Sequence, residues 1–170
     1  KQMNIPLKAP DINESEQNLT LTQDGNIRFG LAGSRGVGGG PSSAIINERE
    51  QNGLFKSTFD FLERIDIRTC NKKPIESLGL SGAFDNFNDI SRTAFIKDKN
   101  YNIKKEIILD KLVQYSNDYQ KAKNNSINTL FDDCEEEIET KKPLIEPASE
   151  VDILEKLKNE EEVIGVYISA

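Results

Sequence analysis

The spacing of apolar residues changes along the chain from every second position to every third or fourth, which predicts strands first and helices afterwards. Leu19 and Leu21 alternate with threonines before the turn signal "DG", and Ile27 and Phe29 alternate after it. This pattern predicts a short β-hairpin. Because residues 1–18 hold two prolines, we expect an extended lead-in before the hairpin.

From residue 41 onward the apolar spacing is that of helices. Pro41 suits the first position of a helix, and the segment "SSAIINERE" runs to a stop signal near Asn52-Gly53. The segment "LFKSTFDFLERI" carries an aromatic stripe that we interpret as core packing on a second helix. A third helix in "KKPIESLGLSGAFDNF" is expected to end in a turn at Gly82, and "NIKKEIILDKLVQYSNDYQKAK" predicts the longest helix.

The helical pattern stops at asparagines, acidic runs and prolines, which predict a flexible acidic linker. A last helix is expected in "SEVDILEKLKNEEEV", with Ser149 as its N-cap and with Val151, Leu154 and Leu157 on its apolar side. The fold class predicted is mainly α, and the chain looks like a piece of a longer protein. Four parts are expected: a lead-in and hairpin (1–30), a helical domain (31–124), the linker (125–148) and the start of a following domain (149–170).

Composition excludes several kinds of site. The chain has 170 residues, 36% of them hydrophobic, no histidine and two cysteines, Cys70 and Cys134. The usual zinc spacings, the Ser/His and Cys/His nucleophile pairs and a disulfide framework are therefore excluded. Two unpaired cysteines fit a reducing compartment, and no apolar run approaches the length of a membrane span, so we expect a cytoplasmic protein without a membrane partner.

Charge is distributed unevenly, although the whole chain has a formal net charge of −7. Residues 26–73 hold eight basic and five acidic side chains, whereas residues 132–162 hold thirteen acidic and four basic ones. The segment 26–73 is therefore mildly basic and the segment 132–162 strongly acidic. We do not expect nucleic acid to bind over the entire surface of the protein. We interpret the acidic runs "CEEEIE" and "NEEEV" as solvated surface.

The segment "GSRGVGGGP", residues 33–41, concentrates five glycines, which is costly for chain entropy unless the backbone needs them. A Walker phosphate loop is excluded because its lysine and hydroxyl positions are Gly39 and Gly40. A dinucleotide fingerprint is excluded because Pro41 stands where the third glycine is required. The remaining interpretation is a Gly-hydrophobic-Gly turn between two helices at residues 36–38.

In a helix-hairpin-helix unit the two glycines permit a tight turn, and the residue between them packs down between the helices. The backbone N–H groups and the next helix N-terminus then face outward and can bind one phosphate without reading bases. Arg35 precedes this turn and Pro41-Ser42-Ser43 opens the next helix. A purely structural turn is the alternative, because Gly-Val-Gly alone is a weak pattern.

Five sequence blocks, taken in order, resemble one continuous stretch of the α subunit of bacterial DNA polymerase III, the C-family replicase. The blocks are "KAPDINES", "GNIRFGLAGSRGVGGGPSSAIINERE", "GLFKSTFDFLERID", "NKKPIESLGLSGAFD" and "EEEVIGVYISA". The resemblance covers residues 9–92 and resumes at about 150–170, and the order and spacing of the blocks make it specific. The chain departs from the family at Ser34, where members usually carry an aliphatic residue, and in its longer glycine run.

The resemblance implies tandem helix-hairpin-helix motifs that hold duplex DNA behind the catalytic palm of the polymerase. Residues 36–38 are the implied first hairpin, and "SGAFD", residues 81–85, is the implied degenerate second hairpin, to which Lys72 and Lys73 would contribute charge. The expected DNA-binding residues are Arg35, Gly36, Val37, Gly38, Gly39, Ser42, Ser43, Lys72, Lys73 and Gly82.

The family also carries a short motif that binds the sliding clamp, roughly Gln-x-x-Leu/Met-Phe. The matching window here is Ile127, Asn128, Thr129, Leu130 and Phe131, with Ile127 in place of the glutamine. Clamp binding and packing within the domain are the two interpretations of the apolar pair in this window.

The resemblance implies no catalytic residue, metal ligand or cofactor in this segment, whereas the parent polymerase would use Mg²⁺ held by a carboxylate cluster. The implied partners are double-stranded DNA, the sliding clamp and other replisome subunits. The competing hypothesis is a protein-interaction module whose hairpins are structural only.

Overall fold

The computed structural model describes residues 5–95, 102–128, 140–145 and 153–168. Five α-helices and a small N-terminal sheet lie in these ranges, which confirms the prediction of a mainly α protein with N-terminal strands. None of the described helices is both long enough and apolar enough to cross a lipid bilayer.

The sheet has three two-residue strands, β1 (Leu7–Lys8), β2 (Thr20–Leu21) and β3 (Ile27–Arg28). The strands β2 and β3 form the predicted antiparallel hairpin, and the lead-in adds β1 parallel to β3 on its other side. Gly25, at φ 78°, closes the turn of the hairpin by donating its N–H to the carbonyl oxygen of Thr22. The sequence did not predict β1, because two residues cannot show an alternating pattern.

A 3₁₀ turn, Leu31–Gly33, follows the sheet, and the helix α1 spans Gly39–Asn52. The helix begins two residues before the predicted start, so that Pro41 is its third residue. Proline fits there because its missing N–H would have no partner within the first turn. The predicted stop is confirmed, since α1 ends before Gly53, which has a φ of 82°.

The helices α2 (Thr58–Arg64) and α3 (Lys72–Ser81) are short and capped by side chains. The Ser57 hydroxyl accepts a hydrogen bond from the N–H of Asp60 at 2.9 Å, and the Asn71 side chain accepts one from the N–H of Lys73 at 3.2 Å. These caps satisfy orphan donors at the helix starts and fix where each helix begins.

The helix α4 (Asn102–Asn128) is the longest, as predicted, and packs against α2 and α3. A second 3₁₀ turn spans Arg92–Phe95, and the last helix, α5 (Ile153–Ile164), packs against α3. The core lies between these helices, and its largest fully buried side chains include Phe61, Leu62, Ile65, Ile75, Leu78, Phe95 and Leu112.

The aromatic stripe of α2 belongs to this core, as the sequence predicted. The rings of Phe61 and Phe84 have centroids 5.2 Å apart, and those of Phe59 and Tyr115 meet edge to face at 5.4 Å. Cys70 is buried beside them and is a free thiol. Burial raises the pKa of this thiol to about 12, so it behaves as a small apolar side chain.

The predicted apolar side of α5 was wrong. Leu154 is 61% exposed, and the buried face of α5 instead consists of Asn159, Glu160, Val163 and Ile164. The interpretation of "NEEEV" as solvated surface was wrong for Glu160, which is fully buried and pairs with Arg92, whereas Glu161 and Glu162 are exposed as predicted. The run of glutamates could not indicate that Glu160 is buried, because its partner Arg92 lies 68 residues away in sequence. The run "CEEEIE" and Val151 lie outside the described residues.

Candidate nucleic-acid interface

The predicted glycine turn forms directly before α1. The carbonyl oxygen of Ser34 accepts a hydrogen bond from the N–H of Val37 at 3.1 Å, which closes a four-residue β-turn. Gly36 is the third residue of this turn and has a φ of 86°, the conformation that a type II turn requires. Val37 is buried in the core, and Gly38, at φ 64°, is the N-cap of α1.

Four backbone N–H groups at this turn are unpaired. Within the described part of the chain, the amides of Gly36, Gly38, Gly39 and Gly40 have no hydrogen-bond acceptor, and all four residues are exposed. The N-cap glycine has no side chain that could satisfy them. They lie at the positive end of the helix dipole of α1, so the arrangement can bind an anion.

The serines that open α1 have different roles. Ser42 is fully buried, and its hydroxyl lies 2.7 Å from the carbonyl oxygen of Gly38 and 3.0 Å from that of Gly39, to which it can donate. It therefore stabilises the turn from inside and does not face outward as expected. Ser43 is exposed in the first turn of the helix.

Two cations accompany the first turn. Arg35 is exposed next to Gly36. Lys73, from the start of α3, packs over the same glycine: a Cβ added to Gly36 would lie 2.9 Å from Cγ of Lys73. The Lys73 ammonium is 3.4 Å from the Glu76 carboxylate, a loose pair on the surface. The structure thus brings Lys73 to the first turn, although the sequence assigned it to the second.

A second turn between two helices spans residues 65–71, which join α2 to α3. The Asp66 carboxylate accepts a hydrogen bond from the N–H of Arg68 at 2.9 Å, and the Asp66 carbonyl oxygen accepts one from the N–H of Cys70 at 2.9 Å. Arg68 is exposed on this turn. Lys72 follows it, half-buried, with its ammonium 2.8 Å from the Asp110 carboxylate.

The segment "SGAFD", by contrast, ends α3 and is followed in the described residues by turns and the 3₁₀ segment Arg92–Phe95. Gly82 is the left-handed C-cap of α3, and its N–H donates to the carbonyl oxygen of Gly79. Gly82 is buried, because the Arg92 guanidinium occupies the place where a Cβ would stand. Burial raises the pKa of the neighbouring Asp85 carboxyl, and the charge of Arg92 only partly opposes this.

The family described as "Helix-hairpin-helix motif" matches residues 4–94, just over half of the chain. The chain belongs to this helix-hairpin-helix family. The turn at 34–38 and the connection at 65–71 both lie inside the matched range.

Curated relatives extend the similarity beyond the motif. The chain is 35% identical over 178 residues to "DNA polymerase III subunit alpha" of Chlamydia muridarum and 32% identical over 169 residues to that of Thermus aquaticus, in both cases over 99% of this chain. Its first half is 42% identical over 84 residues to the protein of the same name from Pasteurella multocida, a match that covers 49% of this chain and 7% of that protein. The chain spans only 13% and 12% of the first two relatives. The resemblance to bacterial DNA polymerase III α subunits is thereby confirmed.

Most other basic side chains of the helix-hairpin-helix region have structural partners. Arg49 is buried, donating to the Ile12 carbonyl oxygen at 3.1 Å and to Glu16 at 2.9 Å. Arg64 donates to Glu48 at 2.9 Å and stacks over the ring of Phe55 at 4.4 Å. The exposed cations of residues 26–73 are Arg35, Lys56, Arg68 and Lys73.

Of the residues in the predicted clamp motif, Ile127 and Asn128 belong to the last turn of α4. Thr129, Leu130 and Phe131 lie outside the described residues. The helix therefore continues four residues beyond the expected end of the helical domain at 124.

The sequence did not predict two residues that support the turn, Ser77 and Val163. The hydroxyl of Ser77, a buried residue of α3, donates to the carbonyl oxygen of Arg35 at 2.5 Å, and the carbonyl oxygen of Val163 in α5 accepts the N–H of Arg35 at 2.8 Å. No sequence signal connects these positions, because a serine in a helix and a backbone carbonyl have no pattern of their own.

Proposed function

We propose that this chain binds the phosphate backbone of double-stranded DNA without sequence preference, as part of a replicative DNA polymerase. The observation that carries the proposal is the group of four unpaired N–H donors at Gly36, Gly38, Gly39 and Gly40. Donors of this kind contact phosphate oxygens, which are the same for every base sequence. The homology with polymerase α subunits provides the context in which a duplex is the ligand.

The charges around the turn favour the same ligand. Arg35 is next to Gly36 in sequence, the Lys73 side chain packs against Gly36, and both cations are exposed, so a phosphate at the N–H groups would have two cations nearby. Neutralising phosphates releases counterions, so the affinity should fall steeply as salt is added. The proposed DNA contacts are Arg35, Gly36, Gly38, Gly39, Gly40, Ser43 and Lys73. Arg68 and Lys72 are proposed as a second, weaker contact at residues 65–71.

The test is fluorescence anisotropy of the 170-residue chain with labelled duplexes of two unrelated sequences and with a single strand, each titrated with salt. We expect equal affinity for the two duplexes and a linear fall of log K with log salt concentration. If duplex binding is absent at low salt while circular dichroism shows the helices intact, the proposal is wrong. The competing hypothesis, a replisome interaction module with structural hairpins, is then favoured.

We also propose that the segment after α4 tethers the polymerase to the sliding clamp in the bacterial cytoplasm, where replication takes place. This proposal depends on the apolar pair Leu130-Phe131, which lies within an otherwise acidic stretch. Catalysis is assigned to other parts of the longer polymerase, which would supply the carboxylates for Mg²⁺.

A further inference from the structure

The turn with the unpaired N–H groups is fixed by two hydrogen bonds at Arg35, one to α5 and one to α3. Its N–H donates to the carbonyl oxygen of Val163 in α5 at 2.8 Å, and its carbonyl oxygen accepts from the Ser77 hydroxyl in α3 at 2.5 Å. Ser77 is 1% exposed, so its hydroxyl depends on a protein partner in place of water. These two bonds fix the peptide units on both sides of Arg35, immediately before Gly36.

The position of α5 is determined by a buried carboxylate. Glu160 is fully buried; one of its oxygens pairs with the Arg92 guanidinium, and the other accepts the N–H of Ile168 at 3.1 Å. Arg92 is buried as well, and its guanidinium also contacts the Asp85 carboxylate at 3.0 Å and the Ser81 carbonyl oxygen at 3.2 Å. A buried charge is tolerated only when it is paired and hydrogen-bonded, so this network allows one docked position for α5.

Glu160 and Val163 are three residues apart and therefore share one face of α5. Val163 and Ile164 are buried in the core on that face. Gly165, at φ 84°, ends the helix and turns the chain back, which brings the N–H of Ile168 to Glu160. The ion pair of Glu160 with Arg92 thus fixes where the Val163 carbonyl oxygen meets Arg35.

We propose that α3 and α5 together brace the phosphate-binding turn, with Ser77 of α3 and Glu160 of α5 as the positioning residues. This inference rests on the proposed binding of duplex DNA. With α5 docked, the turn is ordered before DNA arrives, so less conformational entropy is lost on binding. Without the brace the N–H groups are still present, but the turn samples conformations in which they do not converge on one phosphate.

The first test measures amide hydrogen exchange in the absence of DNA. The variants are Glu160→Gln, which removes one of the two carboxylate charges that pair with Arg92, and Ser77→Ala, which removes one hydrogen bond to Arg35. Glu161→Gln is the matched control, because Glu161 is the exposed neighbour on the same helix. We expect the Arg35 N–H to exchange about tenfold faster in Glu160→Gln than in the control, while amides of α4 keep their protection. If Glu160→Gln does not fold, Ser77→Ala tests the α3 side of the brace, and the Arg35 N–H should again exchange faster than in the control.

The second test measures duplex affinity of the same variants by anisotropy at one low salt concentration and in a salt titration. We expect about a fivefold loss of affinity with an unchanged salt slope, because the phosphates and cations in contact remain the same. Unchanged exchange at Arg35 in both folded variants overturns the brace. Faster exchange with unchanged duplex affinity also overturns this inference, but leaves the proposed function standing. If the wild-type chain binds no duplex, the proposed function fails and this inference fails with it.

Discussion

Gly79 of α3 lies directly beneath the ring of Phe95, with no space between them for a methyl group. A Cβ built on Gly79 would lie 2.6 Å from Cδ2 of Phe95 and closer still to two other ring atoms. Glycine in a helix normally lowers its stability, so its presence in α3 is explained by this contact with the 3₁₀ turn Arg92–Phe95.

We therefore predict that Gly79→Ala destabilises the protein, although alanine is the better helix former. Helix propensity favours alanine by about 1 kcal/mol, and the overlap with a packed ring costs about 1–3 kcal/mol. The free energy of unfolding, measured by urea denaturation, should fall by the difference, up to about 2 kcal/mol.

The control for this prediction is Gly40→Ala, in the first turn of α1. A Cβ at Gly40 meets no atom within 4 Å, so this variant should keep or gain stability, by at most about 1 kcal/mol. Equal stability of the two variants would show that Phe95 moves away at little cost.

Ser34 and Ser116 are both fully buried, but only one of them is satisfied. The Ser116 hydroxyl donates to the Leu62 carbonyl oxygen at 2.7 Å, whereas the Ser34 hydroxyl has no hydrogen-bond partner among the residues that the structure describes. Ser34→Ala should therefore raise the free energy of unfolding by about 1 kcal/mol, and Ser116→Ala should lower it by about the same amount. Urea denaturation of the two variants side by side measures the difference. A loss of stability in Ser34→Ala would mean that its hydroxyl finds a partner in solution.

Replacing Arg35 tests the proposed phosphate contact directly. Its side chain is exposed at the turn, so Arg35→Ala should weaken duplex binding and lower the salt slope by about one unit. Lys123→Ala, which removes an exposed lysine of α4, is the control and should change neither quantity by a comparable amount. Identical salt slopes for Arg35→Ala and the wild type would exclude Arg35 from the interface.

Stability should fall at alkaline pH because of Cys70. Burial raises the pKa of its thiol to about 12, whereas an unfolded cysteine ionises near pH 8.5. Between these values the unfolded chain releases a proton that the native state keeps, so the free energy of unfolding decreases by up to about 1.4 kcal/mol per pH unit. Below about pH 8 the thiol is protonated in both states, so it does not make the free energy of unfolding depend on pH.

The measurement for this prediction is urea denaturation under reducing conditions from pH 7 to 10.5, with Cys70→Ala as the comparison. The curves of stability against pH should run parallel below pH 8 and converge above it, because only the wild type loses the contribution of the thiol. Parallel curves over the whole range would show that the Cys70 thiol ionises normally in the folded protein.

Clamp binding should depend on the apolar pair after α4. We expect the double substitution Leu130→Ala and Phe131→Ala to abolish co-precipitation with a sliding clamp, because such pairs act as hydrophobic anchors. Leu144→Ala is a suitable control, since Leu144 is 94% exposed in the segment that precedes α5. Undiminished co-precipitation of the double variant would locate the clamp contact elsewhere in the chain.

Local patterns in the sequence were sufficient for the hairpin, the helices and the first glycine turn. Each depends on residues close in sequence: alternation around "DG", apolar spacing of three to four, and Gly36 and Gly38 at positions of positive φ. The family resemblance assigned Lys73 to the second hairpin, whereas its side chain contacts Gly36 because the start of α3 packs against the first turn.

The sequence by itself determined the mainly α class, the family and the turn that presents backbone N–H groups, since local backbone preferences and ordered motifs encode all three. Only the tertiary structure decided which cations stay exposed, that Ser42 faces inward, and that Glu160 is buried against Arg92. The physical reason is that burial and pairing depend on partners distant in sequence. A side chain's charge or hydroxyl does not reveal whether its partner will be water, another residue or DNA.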